Sequence, residues 1–362
     1  MKILIIPNRG RSFNAVRPEA ECYIDLAKAG HNVTIMTCDS NAYIGRYQEA
    51  GLEIIPLVSL KKHSWAVIKQ INQYIRQHNI DIVYATESKG IPNAAFACIG
   101  TKAKMIAYRG TTGGLYKSDI SNYLCMFHPR INGVICVSNA VTKYVKPKMR
   151  NVIQAEVTTI YKGHDLAWYQ ESAVELDSLH TQNANFNIVC IGSPRPQKGM
   201  QYMLDAMNDL KDIENIRLIL VGDNFACEPF ISDIKATGMH DKIIQTGFRS
   251  DVPQIAKACD VLVLPSEREG LPRVVLESLA VGTPVITSSN EGAMEIIEDK
   301  INGYVVPIGD GKAIANRIRL LIENTALLQQ LSDNAQKTIA TNMSHDKTVQ
   351  DMESYFQGML QD

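Results

Sequence analysis

Residues 260–277 read Asp260-Val-Leu-Val-Leu-Pro-Ser-Glu-Arg-Glu-Gly-Leu-Pro-Arg-Val-Val-Leu-Glu277, and this stretch decides the fold. Its first part, Val261–Leu264, is a short apolar run typical of a strand buried on both faces. Pro272 suits the first position of a helix, where its missing N–H costs nothing, so a helix is predicted to begin there. A second apolar run, 284–287, comes after the helix. The order strand, loop, helix, strand indicates a parallel sheet, with the helix start at the crevice beside the carboxyl ends of the strands.

Two carboxylates flank the predicted helix start. Glu269 lies in the loop just before it, and Glu277 lies about one and a half turns inside it. A helix N-terminus binds phosphate readily, because its free N–H groups and positive dipole end face the ligand. A diphosphate there would have a carboxylate on each side, one for a ribose and one for a sugar, as a nucleotide sugar requires. The alternative is that Glu269 only favours the helix dipole and that Glu277 is a solvated helix residue.

The chain resembles the retaining nucleotide-sugar glycosyltransferases of the family-4 kind, which have the GT-B fold. The resemblance rests on Glu269-Gly-Leu-Pro272, on Glu277-Ser-Leu-Ala-Val-Gly-Thr-Pro-Val-Ile286, and on Gly292, Glu295 and Asn302-Gly303. It implies that Glu269 contacts the donor sugar and that Glu277 holds the ribose. The loop residues that it implies for donor binding are Gly270, Leu271, Pro272 and Arg273. Many members have glycine where this chain has Pro272.

Length and composition indicate a two-domain globular protein. The chain has 362 residues, and this length exceeds the size at which one core keeps growing. Its composition, 45% apolar and 21% charged, is ordinary for a globular protein. No apolar run is long enough for a membrane span, and residues 1–6 are too short for a secretory leader. Eight cysteines are scattered singly, without a metal or redox pair, and are interpreted as reduced core residues. We therefore expect a cytoplasmic protein with no nucleic-acid partner.

Charge is distributed unevenly along the chain. Residues 1–164 contain 21 Lys and Arg against 10 Asp and Glu, whereas the remainder contains 16 against 28. A basic first half predicts an anionic partner, such as a phosphorylated glycan, a lipid-linked acceptor or an anionic membrane face. Alternatively, the charges pair across the interface of the two domains. The basic stretches 60–65 and 143–150 are candidates for lipid head groups, although such clusters are usually solvated faces.

Alternating strand and helix signals predict an α/β fold with two Rossmann-like, doubly wound domains facing a cleft. Residues 1–164 form the first, acceptor-side domain, with Pro18 opening its first helix. The polar stretch 165–186 is predicted as a linker, and 187–342 as the domain that binds the nucleotide-sugar donor. Residues 343–362 are predicted as a final helix that crosses back to the first domain, as in the GT-B fold.

Two loops in the first half carry candidate binding residues. Arg109-Gly-Thr-Thr-Gly-Gly114 follows an apolar strand, where ligands bind in such sheets, and Arg109 suits a phosphate or carboxylate. Arg109, Gly110 and Thr111 are therefore acceptor candidates, the alternative being a flexible loop with a structural arginine. Gly10 follows the first strand and would let the backbone approach the donor, although a lone glycine is more often a turn.

Two loops in the second half complete the candidate donor site. Gly192-Ser-Pro-Arg-Pro-Gln-Lys-Gly199 lies between a strand and a helix, so Arg195 and Lys198 could neutralise a leaving diphosphate. Lys198 matches the family pattern, but the usual arginine is replaced by Ser193, so whether Arg195 substitutes for it is open. The family resemblance also implies that a further loop receives the nucleotide base through its backbone, namely Gly247, Phe248 and Arg249.

Together these features predict glycosyl transfer from a nucleotide diphospho-sugar, with a UDP-sugar favoured, to a hydroxyl acceptor. The family resemblance implies retention at the anomeric carbon. Glu269, Lys198 and Arg195 are the predicted catalytic residues. No Asp-x-Asp motif occurs, so neither a metal nor another cofactor is expected. The expected acceptor is a glycan or lipid-linked glycan of a bacterial surface polysaccharide or lipopolysaccharide, at the cytoplasmic face of the inner membrane. A nucleotide-sugar 2-epimerase on the same fold, or a non-catalytic nucleotide-sugar binding protein, remains an alternative.

Overall fold

The computed structural model describes residues 1–8, 12–38, 40–59, 61–150, 152–176 and 184–361. The chain divides into two compact units. Residues 1–163 and 345–362 form the first unit, and 164–344 form the second. Each unit is an α/β structure around one parallel sheet, so the predicted fold class is confirmed.

The sheet of the first unit has seven parallel strands in the order β3-β2-β1-β4-β5-β6-β7. Runs of Ile, Val and Tyr without polar alternation make the central strands buried on both faces, as parallel sheets require. The strands are β1 (Lys2–Ile6), β2 (Asn32–Thr37), β3 (Glu53–Pro56), β4 (Ile82–Ala85), β5 (Lys104–Arg109), β6 (Ile131–Cys136) and β7 (Glu156–Thr159).

The helices of the first unit connect these strands. They are α1 (Phe13–Lys28), α2 (Ile44–Glu49), α3 (Trp65–His78), α4 (Gly90–Ala97), α5 (Ile120–Tyr123) and α6 (Asn139–Met149). The prediction that Pro18 opens the first helix is wrong, because α1 begins at Phe13 and includes Pro18. A proline inside a helix removes one backbone hydrogen bond. The buried face of α1, which includes Tyr23, packs into the core and holds the helix in spite of that loss.

The second unit has a six-stranded parallel sheet in the order β10-β9-β8-β11-β12-β13. Its strands are β8 (Phe186–Ile191), β9 (Ile216–Val221), β10 (Ile243–Gly247), β11 (Val261–Leu264), β12 (Val285–Ser288) and β13 (Gly303–Val306). Its helices are α7 (Met200–Asp209), α8 (Phe230–Ala236), α9 (Val252–Lys257), α10 (Arg273–Ala280), α11 (Gly311–Glu323) and α12 (Thr325–Asn342). The methionines of α7 lie in the core, as their helical spacing indicates.

The last helix, α13 (His345–Gln361), belongs to the first unit. Phe356 is fully buried there, and its ring centroid lies 5.6 Å from that of Tyr84 in β4. The described part of the predicted linker, 165–176 and 184–186, clusters with the second unit. Nζ of Lys257 donates to the carbonyl of Glu171 at 2.9 Å, which connects this stretch to α9. None of the described helices is both long enough and apolar enough to cross a membrane.

Asp25 connects α1 to α13. Nε2 of His345 lies 2.8 Å from Oδ2 of Asp25, and Nζ of Lys28 lies 2.7 Å from Oδ1. Burial raises the pKa of Asp25, but the hydrogen bonds from Lys28 and His345 outweigh it, so the net pKa is below the usual value. The ionised carboxylate therefore stabilises the contact of the two helices.

We expect Asp25→Asn to lower stability by about 1 kcal/mol or less near neutral pH, because water screens this partly exposed carboxylate. The contribution is present above the unfolded-state pKa of about 4 and is lost as the pH falls through the lower folded-state value. The measurement is the thermal midpoint of both proteins as the pH is lowered, where the difference should shrink. Asp351→Asn, which changes a partly exposed carboxylate in the middle of α13 that lies 3.7 Å from Nζ of Lys347, should lower the midpoint less. Equal losses in both variants would contradict a specific role for Asp25.

Candidate functional site

The second sheet reverses its winding between β8 and β11. The chain leaves β8 toward β9 on one side, whereas β11 lies on the other side of β8. At such a reversal the loops after the two central strands diverge and leave a crevice for a ligand. The loops concerned are 192–199 after β8 and 265–272 after β11. All three predicted catalytic residues lie on these two loops.

The two loops are in direct contact. Gly199 has φ +62°, and a Cβ atom on it would lie 2.1 Å from the carbonyl oxygen of Pro265, so only glycine fits this approach. The N–H of Glu267 donates to the carbonyl of Gln197 at 3.0 Å. The hydroxyl of Tyr202 in α7 donates to Oε1 of Glu267 at 2.8 Å. The loops therefore form one continuous surface at the crevice.

Lys198 and Glu269 form an ion pair on this surface. Nζ of Lys198 lies 2.8 Å from Oε1 of Glu269, and their side chains are 28% and 13% exposed. The structure thus brings together two predicted catalytic residues that are distant in the sequence. Arg195 stands exposed at the start of the short 3-10 turn Pro196–Lys198. Its role as a substitute for the arginine replaced by Ser193 stays a prediction.

The helix α10 begins at this crevice. Pro272 is its N-cap in an extended conformation, one residue before the first helical position predicted for it. Since an N-cap residue contributes only its carbonyl to the helix, proline costs no helical hydrogen bond here. The carbonyl of Pro272 accepts from the N–H of Val275 at 3.0 Å. The first N–H groups of α10 and its positive dipole end are therefore directed toward the loop that carries Glu269.

Glu277 is buried inside α10, with 3% of its side chain exposed. Burial raises the pKa of Glu277, and the nearby Arg273 guanidinium lowers it in part. Nε of Arg273 lies 3.1 Å from Oε1 of Glu277, one helical turn away. The interpretation of Glu277 as a solvated helix residue is wrong. A carboxylate kept in an apolar position needs a polar partner, which Arg273 supplies here.

The loop after β12 supports the loop of Glu269 from the other side. A Cβ atom on Gly292 would lie 2.6 Å from the carbonyl oxygens of both Glu269 and Gly270, so the two backbones touch. Nδ2 of Asn290 donates to the carbonyl of Ser266 at 3.2 Å, and its Oδ1 accepts from the N–H of Ala293 at 2.9 Å. The sequence reasoning missed Asn290 as a supporting residue. The signal for it was a short polar side chain soon after the apolar run 284–287.

The loop predicted for the nucleotide base begins at the carboxyl end of β10. Gly247 has φ +69°, and its carbonyl accepts from the N–H of Gly222 at 2.9 Å, which connects it to the loop after β9. Phe248 is 57% exposed. Arg249 forms two hydrogen bonds with Asp251, at 2.8 and 2.6 Å, so its guanidinium holds the loop. The exposed ring of Phe248 is therefore the accessible side chain of the predicted trio.

The acceptor candidates lie at the carboxyl end of β5 in the first unit. Nε of Arg109 donates to the carbonyl of Thr111 at 3.0 Å, and its Nη2 contacts the carbonyl of Gly113. The guanidinium thus holds its own loop together, which agrees with the alternative that Arg109 is a structural arginine. Gly110 lies against the ring of Tyr108. An acceptor role for this loop stays a prediction, and Gly10 lies outside the described residues.

A buried ion pair near the first sheet was not predicted. Glu19 in α1 accepts from Tyr23 and Thr86, both at 2.5 Å, and from the ammonium of Lys162, which also lies 4.0 Å from the ring centroid of Tyr108. Burial raises the pKa of Glu19, but Lys162 and the hydrogen bonds outweigh it and lower it overall. Sequence spacing alone could not identify this pair, because Glu19 and Lys162 lie more than a hundred residues apart.

The cysteines of the described residues are single free thiols. All eight cysteines are free, and Cys22, Cys98, Cys136, Cys190 and Cys259 are buried. Burial raises the pKa of Cys98 to about 12, which keeps it a neutral thiol. Among the residues that the structure describes, no three His, Cys, Asp or Glu side chains are arranged to hold a metal ion.

Two family models match the chain in succession. Residues 23–168 match the model "Glycosyltransferase Family 4", and residues 177–338 match "Glycosyl transferases group 1". The first match covers most of the first unit, and the second covers the crevice residues just described. The two models together cover every strand of the two sheets except β1.

Similar proteins include an uncharacterized glycosyltransferase of Methanocaldococcus jannaschii, 26% identical over 67% of this chain and 65% of that protein. The N-acetyl-alpha-D-glucosaminyl L-malate synthase of Bacillus anthracis is 22% identical over 93% of this chain and 92% of its own. An Escherichia coli UDP-Gal:alpha-D-GlcNAc-diphosphoundecaprenol alpha-1,3-galactosyltransferase is 25% identical over 63% and 60%. The chain thus spans slightly less than two thirds of the first and third of these relatives.

Solved structures of similar shape are glycosyltransferases of low sequence identity. That of Rickettsia africae aligns over 100% of this chain and 99% of its own, with a TM-score of 0.81 and 20% identity. Anabaena Alr3699/HepE in complex with UDP aligns over 99% and 100%, with a TM-score of 0.78 and 21% identity. These likenesses support the fold, and the family models support the family. The chain belongs to the family-4-type glycosyltransferases of the GT-B fold.

Proposed function

We propose that the protein is a retaining, metal-independent glycosyltransferase that moves a sugar from a nucleotide diphospho-sugar to a hydroxyl acceptor. The observation that carries the proposal is the Lys198–Glu269 ion pair beside the N-terminus of α10, at the reversal of a doubly wound sheet. The cation suits the diphosphate of the donor, and the helix N-terminus suits the negative charge that develops on it. The carboxylate suits the hydroxyls of the sugar.

The diphosphate is the leaving group, and the cations stabilise it. When the bond between the anomeric carbon and the phosphate oxygen breaks, negative charge accumulates on the diphosphate. Lys198 and the N–H groups at the start of α10 lie where they can interact with that charge, and exposed Arg195 can join them. Lys198 is paired with Glu269, and this ion pair keeps both side chains oriented at the crevice.

The acceptor attacks from the face that the leaving group occupies, which retains the anomeric configuration. The acceptor oxygen forms the new bond to the anomeric carbon, and its proton passes to the oxygen of the departing phosphate. Glu269 orients the sugar through its hydroxyls and is not the nucleophile, because a carboxylate that accepts from those hydroxyls does not face the anomeric carbon. No covalent sugar intermediate is then required.

Glu277 and Arg273 would bind the ribose end of the donor. The carboxylate of Glu277 is buried and has Arg273 as its polar partner, so a ribose diol would enter a position that is already desolvated. A site of that kind rejects a ligand that lacks the hydroxyl, because the buried carboxylate loses a partner. UDP-sugars are the favoured donors, as Alr3699/HepE has been solved with UDP-glucose and the Escherichia coli relative is named for UDP-Gal.

The proposed acceptor is a glycan or lipid-linked glycan of a bacterial surface polysaccharide or lipopolysaccharide. Two observations support it: the name of the Escherichia coli relative specifies a diphosphoundecaprenol acceptor, and the first unit is strongly basic. Such an acceptor lies in a membrane, so we propose that the protein works at the cytoplasmic face of the inner membrane and contacts anionic lipid.

We expect Glu269→Gln to reduce kcat by about 100-fold or more while changing donor Kd little, because the carboxylate acts on the sugar in the transition state. Lys198→Ala should reduce kcat and weaken donor binding together. The measurement is steady-state transfer with titration of donor binding. Glu267→Gln, in the same loop but exposed and bonded to Tyr202, is the matched control and should retain most activity. Near-normal kcat in Glu269→Gln and Lys198→Ala would contradict the proposed site.

We expect Glu277→Gln to weaken the binding of its nucleotide sugar by about 10-fold or more. A thermal-shift screen with UDP-, GDP-, ADP- and TDP-sugars first identifies the donor class, which should stabilise the wild type. Removing both ribose hydroxyls of that donor should weaken wild-type binding strongly and barely affect Glu277→Gln. Because burial raises the pKa of Glu277, acid should weaken binding before an ordinary glutamate would titrate. Equal discrimination against the deoxy donor in both proteins would show that Glu277 does not contact the ribose.

We expect EDTA to change the transfer rate by less than about twofold, because Lys198 and the α10 N-terminus supply the positive charge that a metal gives other enzymes. The assay compares the purified protein before and after exhaustive chelation, with and without added manganese. A roughly tenfold loss with EDTA that manganese restores would overturn metal independence.

A further inference from the structure

A cavity of about 840 Å³ lies between α6 and the edge strand β7 of the first unit. This volume is in the range of small-molecule sites in proteins. It is separate from every residue assigned above to the donor or the acceptor. Its inner wall is apolar and is formed by residues of α6 and of the segment leading into β7, namely Pro147, Met149, Ile153, Ala155 and Val157.

Cations surround the opening of this cavity. Lys143, Lys146 and Arg150 come from α6, Lys117 comes from the loop before α5, and all four are exposed. None of the described residues that line the cavity is Asp or Glu. The N–H of Leu115 donates to the hydroxyl of Tyr144 at 3.2 Å, which ties the loop of Lys117 to α6. The opening of the cavity therefore carries positive charge that no lining carboxylate neutralises, and the loop of Lys117 is held against α6.

Large apolar side chains are exposed on the segment that carries Lys117. They are Tyr116, Ile120, Tyr123 and Leu124, which are 58%, 77%, 41% and 43% exposed. Exposed apolar side chains that cluster in this way mark an interaction surface. Tyrosine and aliphatic side chains next to lysines are the combination that suits the boundary of a lipid bilayer.

We propose that this cavity binds one acyl chain of an anionic membrane phospholipid, with the lipid phosphate held by Lys117, Lys143, Lys146 and Arg150. The apolar wall accommodates the chain, and the cations neutralise the head group. A second copy of this chain does not fit, because two such basic rims would repel each other. The exposed Tyr116 and Ile120 would then enter the interface beside the bound lipid.

This inference deepens the membrane contact proposed above and depends on the first unit alone. Donor binding is assigned to the second unit, so the two proposals fail separately. Binding of the identified donor by thermal shift serves as the independent readout, and it should be unchanged in every variant below. A variant that loses lipid binding but keeps donor binding tests only the proposed lipid site and leaves the proposed function unaffected.

The experiment is flotation of the full chain with vesicles of phosphatidylglycerol and phosphatidylcholine, against vesicles of phosphatidylcholine alone. We expect a preference of about 10-fold or more for the anionic vesicles, weakened by salt. Lys146→Glu with Arg150→Glu should abolish that preference. The matched control, Lys69→Glu with Lys102→Glu, makes the same charge change at exposed lysines of the first unit that do not line the cavity, and it should retain at least half of the binding.

Ala155→Trp separates the cavity from surface attraction, since it fills the apolar wall without changing charge. We expect it to reduce anionic vesicle binding by about 10-fold, because the filled wall no longer accommodates the acyl chain. Ile153→Trp adds less volume than Ala155→Trp, because isoleucine is already large, so we expect this variant still to bind. In a background that also carries Trp65→Phe and Trp168→Phe, phosphatidylglycerol brominated on its acyl chains should quench the fluorescence of the new tryptophan. Wild-type binding by Ala155→Trp, absence of quenching in vesicle-bound Ile153→Trp, or binding of sodium diphosphate with no preference for anionic vesicles would each overturn the proposal.

Discussion

The donor site depends on the contact of Gly199 with the carbonyl of Pro265. A side chain at position 199 would collide with that oxygen, so the loops after β8 and β11 approach only because this residue is glycine. The approach lets Nζ of Lys198 reach Glu269. The same loop then continues into Pro272 and α10. One backbone contact thus brings a cation, a carboxylate and a helix N-terminus to one edge of the sheet.

Much of this arrangement could be predicted from the sequence, because its signals are local. Unbroken apolar runs predicted the buried strands, and the strand-loop-helix-strand order around Pro272 predicted the crevice. The pairing of Arg273 with Glu277 and of Glu19 with Lys162 could not be predicted. The first depends on burial of one helix face, and the second on partners more than a hundred residues apart. The start of α1 was also missed, since packing compensates for a proline that propensity places at a helix start.

Both units bury a carboxylate beside a cation, but the two pairs differ in how they are held. Glu19 is fully enclosed, accepts hydrogen bonds from Tyr23 and Thr86, and its pKa is lowered overall. Glu277 has Arg273 as its charged neighbour, and its pKa is raised. A buried carboxylate with several hydrogen-bond donors has most of its acceptor positions filled, so its side chain is held in place. A buried carboxylate with a single charged partner has unused acceptor capacity. The first arrangement suits a rigid support, and the second suits a position that a ligand can complete.

The first unit is assembled from both ends of the described chain. Its core contains Met352, Phe356 and Met359 of α13 together with Ile3, Ile5 and Tyr84 near the other end. A ribosome makes α13 only after the whole second unit has been synthesised, so the first unit lacks part of its core until then. The second unit takes its strands and helices from the continuous stretch 164–344 and does not wait for α13. The unit that is started first is therefore not the one that can complete its core first during translation.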